Sequence, residues 1–134
     1  MASGHTAHYG LSQWEPEDSF LREEFNADFS KIDTAVFGKA EAVTGTYTGD
    51  GASVRIIELG FSPTAVLLLR NNGAGKDSSN YYGGLALRDQ PVLLPTGATV
   101  LAITDSGFSV HVGGSASISN SNGSGYLFHY LAFR

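Results

Sequence analysis

The hydrophobic pattern changes its period once, at Gly38, and that change limits the folds open to this chain. Before it, apolar residues recur at Leu21, Phe25, Phe29, Ile32 and Val36, in steps of four, four, three and four. That spacing marks one face of a helix. After it, apolar and polar residues alternate in short runs broken by glycine-rich turns, the pattern of strands. The expectation is therefore a mainly β protein: an N-terminal arm and a single α-helix, then an antiparallel, jelly-roll-like β-sandwich.

Residue chemistry sets the limits of the first part. Pro16 suits the first helical position, and Glu17 and Asp18 would complement the helix dipole in the first turn. Gly38 is a stop, with Lys31 and Lys39 near that end. The helix is expected over 16–37, in a segment of residues 16–38. Its stripe covers about two heptads, fewer than a firm coiled coil needs. An amphipathic helix docked on its own β-domain and a self-associating bundle both fit it. Residues 1–15 read as a short, polar, irregular arm in which Tyr9, Leu11 and Trp14 could anchor it to its own core or to a partner.

Residues 42–134 read as the sandwich. Val43–Thr48 and residues 52–59 flank Gly49-Asp50-Gly51, which predicts a hairpin. Ala65–Leu69 and Tyr126–Phe133 are apolar on both faces and are expected to be covered on both. Further strands are expected near Tyr81–Leu87 and Pro91–Leu94. Thr99–Thr104 and Phe108–Val112 form a second predicted hairpin around Asp105-Ser106-Gly107. Two connections, 71–80 and 113–125, are longer than a hairpin requires, and loops of that length are often functional.

Charge narrows the partners. Of the 13 acids, eight lie in residues 1–42 with three bases, so the net charge of −5 belongs to the first third. The rest is balanced, five against five, and offers no footprint for nucleic acid. No apolar run is long enough to predict membrane insertion. Met1–His5 has neither a basic nor an apolar leader region, so no secretory signal is expected. The absence of cysteine removes disulfides, thiolate nucleophiles and cysteine-based zinc sites.

No catalytic residue, metal site or cofactor is assigned. Asn72-Gly73-Ala74-Gly75-Lys76-Asp77 lacks the leading glycine and the trailing Ser or Thr of a phosphate-binding loop. An aspartate there would also repel phosphate. His5, His8, His111 and His129 give only distant pairs; alternation places His111 at the surface and His129 in the core or at an interface. Asp50 and Asp105 belong to turns, Glu58 and Asp89 lie beside arginines, and no nucleophile elbow or closely spaced carboxylate pair is present. A binding surface remains. Asn72, Asp77, Asn80, Tyr81 and Tyr82 in one loop, with Asn120 and Asn122 in the other, combine amides and carboxylate with aromatic rings, as a saccharide site does. The same residues also simply make soluble loops.

Two stretches carry a family resemblance. Tyr9-Gly10-Leu11 with Trp14, then Phe25-Asn26 and Phe29, Lys31, Ile32 and Asp33, resembles the N-terminal segment of phage tail and baseplate-associated proteins. Gly45-Thr46-Tyr47-Thr48-Gly49-Asp50-Gly51, Leu59-Gly60-Phe61-Ser62-Pro63-Thr64-Ala65-Val66 and the final Tyr130-Leu131-Ala132-Phe133 look like the C-terminal β-domains of phage tail-fibre and receptor-binding tips. The resemblance implies a homotrimeric virion protein, assembled in the host cytoplasm, with an attachment segment and a tip. Its partners would be other tail or baseplate proteins and a host cell-surface glycan. The shaft usual between attachment segment and tip is missing, which leaves room for a compact piece fixed to the tail or baseplate. The alternative is a purely architectural virion protein of the baseplate, collar or capsid decoration. Apolar surface in excess of what so small a sandwich can cover supports the trimer, with Leu21, Phe25, Phe29, Ile32 and Val36 as contacts.

Overall fold

A computed structural model describes residues 1–134 as two compact units, Met1–Ala40 and Glu41–Arg134. The first unit contains strands β1 (Gly4–His5) and β2 (Ser12–Gln13) and helix α1 (Arg22–Phe37). The helix starts six residues later than the sequence predicts. Asp18 explains this, because its carboxylate accepts from the Ser3 and Glu15 backbone N–H groups at 2.8 and 2.9 Å and from the Ser3 hydroxyl. Those bonds hold Glu15–Asp18 as a turn closed by Asp18 N–H to the Glu15 carbonyl, so Pro16 serves the turn and not the helix. Leu21 is the N-cap, in extended backbone and without a side-chain cap bond. Gly38 ends the helix as expected, with its N–H on the Thr34 carbonyl and an ordinary φ of −75°.

The arm is not irregular. β1 and β2 pair antiparallel, and three carboxylates fasten residues 1–15 to the turn and helix beyond them. Besides Asp18, Glu24 accepts from Ala2 N–H at 3.0 Å and from the Trp14 indole at 3.1 Å. Asp28 accepts from Ser12 N–H at 2.7 Å and pairs with Lys31 at 3.0 Å. Burial pushes the Asp28 carboxyl up, but those donors more than offset it and hold it below its ordinary range.

The second unit holds eleven strands: β3 (Ala42–Thr48), β4 (Val54–Glu58), β5 (Ala65–Arg70), β6 (Lys76–Asp77), β7 (Asn80–Tyr81), β8 (Gly84–Leu87), β9 (Val92–Leu93), β10 (Thr99–Ile103), β11 (Gly107–Gly114), β12 (Ile118–Asn120) and β13 (Leu127–Phe133). One sheet runs β3-β13-β5-β8; the other runs β6-β7-β12-β11-β10-β9, with β4 also on β11. Both sheets feed one core of Tyr47, Ile57, Val66, Leu68, Tyr82, Ala86, Leu101, Phe108, Val110, Phe128 and Ala132. Phe108 crosses between them, with its ring 5.1 Å from Tyr130 and 6.4 Å from Tyr47. The mainly β sandwich read from the sequence is thus the fold. Its pairings are antiparallel except β7 with β12.

Three local expectations are corrected. β3 and β4 do not form a hairpin: β3 pairs with β13 and β4 with β11, so Gly49-Asp50-Gly51 carries the chain from one sheet to the other. The corner is held by Gly49 on Tyr126, Gly51 on the Asn122 carbonyl, and Asp50 capping Ala52 N–H at 2.9 Å. β5 and β13 are central strands, yet each is covered on one face only. Val66, Leu68, Phe128 and Ala132 are buried, whereas Leu67, Leu127 and His129 point outward and are exposed. The 113–125 stretch is not a plain loop: it contains the end of β11 and all of β12, with turns between and after them. The Asp105 hairpin forms as predicted, with Ile103 opposite Phe108.

Between β7 and β8 the chain changes sheet again, passing over β5. A Cβ on Gly83 would lie 2.1 Å from the Leu68 carbonyl oxygen, so only glycine permits that approach.

Candidate functional site

The two long connections meet. Residues 71–82 fold into the β6–β7 hairpin, and β7 then pairs in parallel with β12, aligning Asn80 with Ile118 and Tyr81 with Ser119. Ile118 N–H to the Ser79 carbonyl at 2.8 Å extends the join. The hairpin turn puts Ser78 at φ 40°, the only non-glycine residue with positive φ, where a two-residue turn favours glycine. Sequence alone could not pair these loops, because β12 looks like spacer with a single apolar residue, Ile118.

Of the expected contact residues, Asn72, Asp77, Asn80, Tyr81 and Asn120 lie at or near the surface. Asn72 accepts from Ala74 N–H at 3.1 Å, an Asx-type turn, and its amide nitrogen is left free. Asn80 and Asp77 approach at 3.4 Å. Tyr81 is half-buried, with the Lys76 ammonium 4.8 Å from its ring centre. Two expectations fail. Tyr82 is buried in the core, its hydroxyl donating to Asp77 at 3.0 Å, so its ring is no open platform. Burial and the Asp77 carboxylate push its phenol up. Asn122 is fully buried: its amide donates to Asp50 at 2.6 Å and to the Ala52 carbonyl at 3.0 Å, so it latches the sheet-to-sheet corner instead of facing a ligand.

Arg70 and Tyr126, absent from the sequence expectation, belong here. Arg70 lies with its guanidinium 4.0 Å from the Tyr126 ring centre and 5.1 Å from that of Tyr82. Arg55, Arg88 and Arg134 all donate to protein oxygens at about 3 Å, Arg55 and Arg134 while also lying over rings, whereas the Arg70 guanidinium has ring contacts alone. With Lys76 on Tyr81, the joined loops present two cations on aromatic faces, each such contact worth about 0.5–1 kcal/mol at an exposed site. Arg70 ends β5 and Tyr126 precedes β13, adjacent strands; only that pairing reveals the stack.

His111 is half-buried, its ring nitrogen 3.0 Å from the Ser109 hydroxyl, and burial holds its pKa below the ordinary value. His129 lies on the outer face of β13, not in the core that is one of its two expected placements, and beside Leu67, Leu69 and Leu131 lines a shallow cleft of about 280 Å³. No three His, Asp or Glu side chains converge as a metal site would require. In the first unit, Tyr9 is exposed, and Leu11 and Trp14 are half-buried against the helix.

No protein-family model matches this sequence, and no curated protein or solved structure matches it either. Function therefore has to be argued from the residues and their arrangement.

Proposed function

We propose that this chain is a bacteriophage tail protein, a short tail fibre or receptor-binding tip, whose sandwich touches a host-surface saccharide through its joined loops. The observation that carries the reading is the β7–β12 pairing, which unites two polar, aromatic loops into one surface. Its contact residues are Asn72, Lys76, Asp77, Asn80, Tyr81 and Asn120, with Arg70 at the margin. Amide and carboxylate groups suit vicinal hydroxyls. The two cations add a preference for a saccharide bearing an acid group. The phage setting rests on the sequence resemblance, which implies an attachment segment ahead of a tip. A virion protein that binds no receptor is the second reading, favoured by the commitment of Tyr82 and Asn122 to internal contacts.

A single saccharide contact of this size is weak, about −4 kcal/mol for a millimolar dissociation constant. Several copies on one particle raise the effective concentration and make adhesion firm. The test is adsorption to host cells of particles carrying Asn80→Ala with Tyr81→Ala. Adsorption should fall at least tenfold while the variant still incorporates. Undiminished adsorption would hand the case to the architectural reading.

A further inference from the structure

The first unit is almost without a core. The Glu24 and Asp28 carboxylates, and the Lys31 ammonium on the Gly10 carbonyl, fix the arm to one flank of α1, and the apolar stripe beside that flank stays open. Among residues 1–40 only Ala2 and Asp28 are buried. Phe20, Phe25, Phe29, Ile32 and Val36 are 61, 40, 56, 42 and 67% exposed, and the Trp14, Phe20, Phe25 and Phe29 rings follow one another at 4.6–5.3 Å. The arm adds a second wall. Leu11 and Trp14 face Phe25, Phe29 and Ile32 across a cleft of about 180 Å³, and Tyr9 continues it past Ile32 to Val36. An apolar cavity of about 150 Å³ is enough for a benzene ring, so the cleft accepts one phenylalanine side chain.

We infer that this groove is filled by the helix stripe of a second copy of the same chain. Area supports a whole protein partner. At ~200 Å² for a fully exposed ring, the open fractions of Tyr9, Phe20, Leu21, Phe25, Phe29, Ile32 and Val36 amount to roughly 600 Å² of apolar surface. A standard interface covers about 800 Å² per partner, of which roughly 60% is apolar. The chemistry supports self-recognition: the groove is lined by aromatic and branched aliphatic side chains, and the stripe beside it supplies the same kind. With 3.6 residues per turn, Phe29 and Val36 fall on the side of the stripe furthest from the arm, and they are its most exposed members along the helix. They form the outer rim of the groove and are the knobs; Leu11, Trp14, Phe25 and Ile32 line the socket behind them. Each protomer carries both knob and socket, so the contact is self-complementary and is satisfied by a two-fold pair or by a closed ring such as the trimer expected from the sequence.

The test uses the intact chain, which has no cysteine of its own. Light scattering at tens of micromolar should give a multiple of the 14.1 kDa chain mass. A monomer would overturn the inference and leave the stripe to the chain's own sandwich or to a different protein. Leu11→Cys and Phe29→Cys chains, mixed and mildly oxidised, should cross-link to each other, whereas neither variant should cross-link alone. Cross-linking of Phe29→Cys with itself, and none with Leu11→Cys, would set knob against knob and overturn the socket. These readouts are independent of saccharide binding, so either proposal can fail alone.

Discussion

Replacing Asn122 by alanine separates a ligand contact from a structural latch. Its side chain makes two donations, to Asp50 and to the Ala52 carbonyl, and accepts from Asp50 N–H at 3.3 Å. The residue is fully buried, so alanine leaves a void that water fills only by opening the corner. Three bonds at a net ~1 kcal/mol each give a loss of about 3 kcal/mol, a large part of the 5–15 kcal/mol typical of a domain. For a unit of this size, about 4–8 °C per kcal/mol converts that into a fall in Tm of roughly 12–24 °C. Urea unfolding measures it directly, and a double-mutant cycle with Asp50→Ala isolates the shared bonds. Asn122→Asp should be worse at neutral pH, because it sets two carboxylates side by side, and should recover as acid protonates them. The Ala52 N–H and then the Asn122 amide hold Asp50 below its ordinary pKa. Its bonds therefore support the native wild-type fold above the usual carboxylate range and are lost as pH falls through the lowered value. If Asn122→Ala unfolds within about 0.5 kcal/mol of wild type, as an ordinary surface change would, the latch argument is wrong.

The same sandwich yields two further expected outcomes. A Cβ on Gly107 would sit 2.0 Å from the Ile57 carbonyl oxygen, so Gly107→Ala must part β11 from β4; urea unfolding should show a loss of about 1–3 kcal/mol. Burial depresses His111, so the unfolded chain binds more protons than the native one just below pH ~6.5. Stability should fall with pH through that window, and His111→Gln should lose less between about pH 7.5 and 5.5.

Much of the fold is legible where a local rule has no competitor. The Asp105 turn joins neighbours in sequence, and the apolar runs of β5 and β13 mark central strands. What alternation encodes is the face a side chain takes, not the strand it lies beside. The Asp-Gly signal at residue 50 is thus the same for a hairpin and for a corner between sheets, and only the distant pairing of β3 with β13 and of β4 with β11 decides which. Pro16 and Asp18 mislead for a similar reason: both suit a helix start, but Ser3 competes for the Asp18 carboxylate. Within the candidate site, the surface amides are visible as composition. Arg70 on Tyr126 is hidden because it depends on β5 lying next to β13, and Asn122 is misplaced because a polar residue in a Gly/Ser stretch gives no sign of burial.

The position of β13 also sets when this domain can come into being during synthesis. The strand lies between β3 and β5, bonded to both along its length. β3 leaves the ribosome early, yet its partner arrives some eighty residues later, roughly four to sixteen seconds at ~5–20 residues per second. Through that interval β3 and β5 each present an unpaired edge toward the same empty slot, a template for the strand of another nascent chain. Leu127–Phe133 therefore act as the keystone: until they arrive, the four-stranded sheet does not exist.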